Sequence, residues 1–195
     1  MNIDHFISTR IRDLRKSRDL TLEQLAERSG VSRSMISLIE RRATSPTAVV
    51  LNKLADALDV SLPGLFSQDN ESVEHSPVSR FDTQTQWTDP ASGYVRRHLS
   101  PVGTDSPIEM VEVTFPAGQS VTFDNPARGV VIHQQIWILE GRMDITVGDE
   151  YWHLESGDCL AVKLGERIVF RNPTKRQARY LLALTTTATN SRRSF

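Results

Sequence analysis

Leu20-Thr21-Leu22-Glu23-Gln24-Leu25-Ala26-Glu27-Arg28-Ser29-Gly30-Val31-Ser32-Arg33-Ser34-Met35-Ile36-Ser37-Leu38-Ile39-Glu40 decides the fold of the first part of the chain. Leu22, Leu25 and Ala26 recur at helical spacing, and Val31, Met35, Ile36 and Ile39 do so again. Thr21 is placed to cap the first of these helices, with Gln24 three residues on completing a capping box. Gly30 stands where a left-handed C-terminal residue belongs, and Ser32 can cap the second helix. Two short helices joined by a tight glycine turn, the second opening on small polar residues, have the layout of a helix-turn-helix.

Outward from this stretch the helical period continues. Ile3, Ile7, Ile11 and Leu14 share one face before it. After it, Ser45-Pro46-Thr47 interrupts, and Leu51, Leu54, Ala55 and Leu58 mark a further helix capped by Thr47. Leu62, Leu65 and Phe66 mark a last one. The expectation is a five-helix domain over residues 1–66. Residues 67–80 are polar and acidic and read as a linker. The period then changes to two. The runs 108–115, 130–139, 143–147, 158–162, 168–171 and 179–184 read as strands, separated by turn signals such as Glu140-Gly141 and Asn172-Pro173. A β-domain over 81–187, a sandwich or a barrel, and a polar tail over 188–195 complete the division.

Composition fits a soluble globular protein, with 38% hydrophobic and 24% charged residues. No apolar run suits a membrane span or a signal peptide, and the single Cys159 cannot form an internal disulfide. Cys159 is expected to be a small buried hydrophobe and the location the cytoplasm. The net charge is −1, divided as +2 over residues 1–66 and −3 over the rest. Arg28, Arg33, Arg41 and Arg42 stand against one acid, Glu40, around the second helix of the motif.

A helix that enters the DNA major groove needs hydrogen-bonding groups at its outer N-terminal positions and an apolar inner face. Ser32, Arg33, Ser34 and Ser37 meet the first need; Met35, Ile36 and Ile39 meet the second. Residues 7–66 resemble the Xre-type helix-turn-helix domain of phage repressors and their bacterial relatives. The resemblance rests on residues 10–15, 20–32, Ile-Ser-Leu-Ile-Glu-Arg at 36–41 and Leu-Ala-Asp-Ala-Leu-Asp-Val at 54–60. It implies base contacts from Arg33, Ser34 and Leu38, backbone contacts from Arg41, Arg42, Thr44 and Ser45, and a structural pair between Arg15 and Glu40. Arg33 is either bidentate on a guanine, for ~1–3 kcal/mol of discrimination, or a phosphate clamp. Leu22 stands where such repressors often place a phosphate-binding glutamine.

Residues from about 80 to 187 resemble a cupin, the small jelly-roll barrel, through Ile-Trp-Ile-Leu-Glu-Gly-Arg-Met (136–143), Leu-Glu-Ser-Gly-Asp-Cys-Leu (154–160) and Val-Phe-Arg-Asn-Pro (169–173). In that architecture the barrels pair subunits and bind effectors while the heads bind DNA. The metal-binding positions of cupins fall here on Gln134, Ile168 and near Ala127 and Gly129, none a good ligand; His133 needs a register shift to serve. No metal, cofactor or catalytic set is therefore expected. A ligand site in the barrel is expected from Gln134, Ile136, Ile138, Lys163 and Ile168, with Gln134 facing inward. Lys163 either meets an anionic ligand or is a solvated turn lysine. Trp137 falls on an outer or dimer-facing surface unless a bulge reverses it.

These readings add up to an all-helical DNA-binding domain followed by an all-β cupin barrel. The expected partners are double-stranded DNA, a small-molecule effector and a second copy of the chain, with no membrane. The expected function is transcription regulation. The alternative is a metal-dependent cupin enzyme with a DNA-binding head.

Overall fold

The computed structural model describes residues 3–66, 76–124 and 130–188. Four helices come first: α1 (Ile3–Ser17), α2 (Leu22–Ser29), α3 (Arg33–Glu40) and α4 (Ala48–Ala57). The caps form as the residue types dictate. Thr21 Oγ1 accepts from the Gln24 amide while Gln24 Oε1 accepts from the Thr21 amide. Gly30 takes φ 65° and donates its N–H to the Ala26 carbonyl, closing α2. Ser32 and Thr47 cap α3 and α4 by accepting from the Met35 and Val50 amides, each cap worth ~1 kcal/mol. The expected fifth helix is instead a single 3-10 turn, Pro63–Phe66. Four residues including Pro63 and Gly64 cannot sustain an α-helix.

The β-domain is built of two open sheets rather than a closed barrel. One has six strands in the order β1 (Gln86–Thr88), β2 (Val95–His98), β3 (Ile108–Phe115), β10 (Ala178–Ala188), β5 (Val130–Glu140), β8 (Cys159–Leu164). The other has four, in the order β4 (Ser120–Phe123), β9 (Ile168–Arg171), β6 (Arg142–Val147), β7 (Glu150–Glu155). Neighbours in both sheets are antiparallel. The inner rows Val111-Val113-Phe115, Ile136-Ile138, Tyr180-Leu182 and Met143-Ile145 share one buried core. The chain crosses from β5 in one sheet to β6 in the other at Gly141, φ 81°, where a Cβ would come 3.0 Å from the Ala178 backbone. Strands β1, β2, β4 and β7 lie outside the runs that alternation marked. Of the segment read as a linker, residues 67–75 lie outside the described residues. Residues 76–80 are irregular, and of the tail only residue 188 is described.

The helical domain does not hang free of the β-domain. Asp89, 2% exposed, accepts the Ala48 amide at the start of α4 at 2.9 Å on Oδ1 and the Ser92 amide and hydroxyl on Oδ2. Asn52 Nδ2 donates to the Asp124 carbonyl at 3.1 Å, and the Ser61 hydroxyl donates to Glu109 at 3.4 Å. Phe66 packs on Trp87 with ring centroids 6.0 Å apart, so one apolar core crosses the junction.

Replacing Asp89 by alanine leaves a buried helix-start amide without its acceptor. A loss of about 1–3 kcal/mol is expected, read as a lower midpoint in denaturant. Retention of the full midpoint would show that water replaces the carboxylate at no cost.

Candidate functional site

The first candidate surface is α3 with the turn that follows it. Ser32, Arg33, Ser34, Arg41 and Arg42 are exposed, and Ser37, Leu38 and Thr44 are half-buried. Ile36 and Ile39 are fully buried against the other helices. Met35, read as part of the inner face, is instead 37% exposed, so the faces of α3 divide as their residue types suggest except at Met35. Arg15 and Glu40 meet in a bidentate pair, at 2.7 Å from Nε and 2.8 Å from Nη2, and Arg15 also donates to the Leu20 carbonyl. That pair ties α1 to the end of α3 and fixes the angle at which α3 is presented. Arg33 pairs with Glu23 of α2, both side chains more than 60% exposed. Such an exposed pair is worth ~0–1 kcal/mol, so Arg33 can exchange Glu23 for another acceptor at little cost. Leu22 packs on the core and offers no polar group.

The second candidate is a small cavity between the two sheets, about 60 Å³ in volume. Its walls are mostly apolar, from rings such as Phe115, Phe123 and Phe170. Its roof is the helical domain: Asn52 of α4 with Ser61 and Leu62 of the following turn. Gln134 and Ile168 line it. Ile136 and Ile138 lie on the same inner face of β5 as Gln134 but are packed in the core and do not reach the cavity. Lys163 sits on the outer face, opposite His133 in the strand pairing. Trp137 is also outward and 46% exposed. Cys159, expected to be buried, is exposed beside it, because β8 is an edge strand and this position faces out.

Residues unremarked in the sequence supply the polar groups. Tyr94, Arg96 and Tyr180 line the cavity and are 3%, 7% and 3% exposed. Burial lowers the Arg96 pKa, opposed by the neighbouring Tyr94, Tyr180 and Glu109. Burial likewise raises both tyrosines. It raises Glu109 too, while Arg96 and the Ser61 hydroxyl favour its charged form. The Tyr94 hydroxyl has the Arg96 guanidinium as its side-chain neighbour, and among the described residues Gln134 Nε2 has no hydrogen-bond partner. Behind Arg96 on β2, burial and the Arg96 charge hold His98 down to about 4. Among the described residues no group of three or more His, Cys, Asp or Glu is placed to hold a metal ion; Ala127 and Gly129 lie outside them.

His98 makes stability depend on pH. The unfolded imidazole takes a proton near pH 6.5, whereas the buried one waits until about 4. Between those values the unfolded state binds more protons, so stability falls as pH drops, by about 3 kcal/mol in total. The variant His98→Gln should show a shallower loss over that window in denaturant titrations. An unchanged slope would remove His98 as its cause.

Residues 11–65 match the helix-turn-helix family model. Along most of its length the chain is 28% identical to the HTH-type transcriptional regulator SutR of Escherichia coli (strain K12), covering 88% of this chain and 89% of that one. It is 25% identical to the HTH-type transcriptional regulator PuuR of the same organism, covering 91% and 94%. A crystal structure of an HTH_3 family transcriptional regulator from Vibrio cholerae superposes with TM-score 0.73 at 25% identity, covering 94% of this chain and 96% of that one. Residues 11–65 are thus an Xre-type helix-turn-helix domain, carried on a chain that resembles transcriptional regulators through both its helical and its β-rich parts.

Proposed function

We propose that the chain is a sequence-specific DNA-binding transcription regulator acting in the cytoplasm. Its β-domain, read as cupin-like, binds a small-molecule effector and pairs two copies. The observation that carries the reading is the outward face of α3, where Ser32, Arg33 and Ser34 stand exposed at the helix start and Arg41 and Arg42 beyond its end. An α-helix so equipped fits the major groove. Its first residues reach base edges, and the arginines after it reach phosphates. The whole-chain similarity to proteins named as transcriptional regulators supports this. Among the described residues no helix is long and apolar enough to cross a membrane.

An effector in the cavity touches Asn52, Ser61 and Leu62, which belong to the DNA-binding head. Filling the cavity therefore bears directly on how the head is held, with Gln134 and Ile168 among the contacts. Pairing is supported by the outer face of the six-stranded sheet. Ile108, Met110 and Trp137 are 49%, 37% and 46% exposed there, and Leu181, Ala183 and Cys159 stand opposite members of the same face in the strand pairing. A two-fold dimer implies half-sites about one helical turn apart.

The test is a set of anisotropy titrations with operator and random duplexes at several salt concentrations. Arg33→Ala is expected to lose roughly 10- to 100-fold on operator DNA and little on random DNA, the ~1–3 kcal/mol of a bidentate base contact. Equal losses on both would make Arg33 a phosphate contact, and no operator preference in the wild type would end the regulator reading. For the dimer, Trp137→Glu should halve the mass in sedimentation equilibrium with the fold intact. Unchanged mass would place the pairing surface elsewhere.

A further inference from the structure

We infer that the cavity between the sheets is an anion site, built around Arg96, for a small organic carboxylate. The inference rests on the effector-binding reading of the β-domain and adds the charge and anchor of the ligand.

Arg96 is a full positive charge, 7% exposed, on the inner face of β2. Among the described residues it forms no ion pair with a carboxylate. Its neighbour Arg97, on the outer face of the same strand, does, holding Glu112 at 2.7 Å. Glu109 acts on it electrostatically but does not pair with it directly, and a buried charge without a direct counter-ion is costly. Such a residue persists where something else balances it, and local cost without local compensation is the mark of a functional position.

The remaining polar groups on the cavity point to the same chemistry. Gln134 Nε2 is a donor left without an acceptor, and the Tyr94 hydroxyl is free to donate. Among the described residues neither Asp nor Glu lines the cavity. Glu109, which acts on Arg96 electrostatically, is hydrogen-bonded by the Ser61 hydroxyl at the head junction and does not line the cavity. A positive charge with spare donors and no lining carboxylate disfavours a polyamine or a divalent cation and favours an oxyanion. A guanidinium holds a carboxylate through two parallel hydrogen bonds. The phenyl rings and the leucines of β10 then suit a short carbon body and not a hydrated inorganic ion. The roof makes the ligand's outer end a contact of the DNA-binding head.

The test uses the full chain and thermal unfolding in a non-carboxylate buffer. Probes are the sodium salts of acetate, propionate, pyruvate, lactate and butyrate, propionamide and butyramide as uncharged mimics, inorganic phosphate, spermidine and magnesium. One or more of the carboxylates should raise the melting temperature in a concentration-dependent way, with the matching amide at least tenfold weaker. Arg96→Met should abolish the response yet unfold no earlier than the wild type without ligand, since it removes a buried charge that no carboxylate pairs with directly. Gln134→Leu, which keeps the arginine, should weaken the carboxylate severalfold.

If an amide matches its acid, or spermidine or magnesium stabilises in place of the acids, the anion assignment fails while the effector reading stands. Stabilisation by phosphate alone overturns the organic carboxylate. If Arg96→Met responds like the wild type, or is markedly less stable than it without ligand, Arg96 is not the anchor. If no probe of any charge acts, both the site and the effector reading fall.

Discussion

The Asp89 carboxylate is the constraint on which the arrangement of the two domains depends. It is buried and accepts three hydrogen bonds, one from the first residue of α4 and two from Ser92. A negative charge at a helix start is favoured both by the free amides there and by the helix dipole. Asp89 therefore sets where α4 begins on the β-domain. With α4 so placed, Asn52 one turn on reaches the Asp124 carbonyl, and Ser61 and Leu62 come down over the space between the sheets. The position of the recognition helix is linked to the same anchor, because α4 packs on α2, which turns at Gly30 into α3. The Arg15–Glu40 pair then fixes the far end of α3.

The helical domain was legible because its signals are local. Thr21 with Gln24, Gly30, Ser32 and Thr47 act within a few residues of themselves, and each cap forms where its residue type predicts. The exception is the last helix: Leu62, Leu65 and Phe66 have helical spacing, but spacing over four residues is equally met by one 3-10 turn. In the β-domain the long apolar strands could be read and the short ones could not. Gln86–Thr88 is too short for alternation to register, and Glu150–Glu155 carries so many polar residues that it reads as solvent-facing.

The candidate ligand site was legible only in part. Gln134 and Ile168 lie on strands whose inner face could be inferred, and both reach the cavity. Arg96 could not be found this way. Val95-Arg96-Arg97-His98 reads as a charged surface segment, yet alternate members are buried. Only the pairing with β3 shows that Arg96 shares the face of Val113 while Arg97 shares that of Glu112. Asp89 was hidden in the same manner, in an Asp-Pro turn that reads as a loop. Lys163 looked suited to an anion from composition alone, but β8 turns it outward beside His133. In each case strand pairing at long range decides what a side chain meets, and pairing is not written in the local string.

A chain of aromatic rings joins the head to the cavity. It runs Phe66, Trp87, Tyr94, Phe115, Tyr180, Phe170 and Phe123, with successive centroids 5.7–6.3 Å apart. Trp87 occupies the joint itself, 2% exposed between Phe66 of the head and Tyr94 of the cavity wall. Indole emission shifts with the polarity of its surroundings, so the molecule carries its own optical gauge at the point where its two halves meet. Trp137, on the outer face proposed for pairing, and Trp152 of β7 lie away from that joint. Any separation of head from β-domain wets one of the three indoles and leaves the other two as they were.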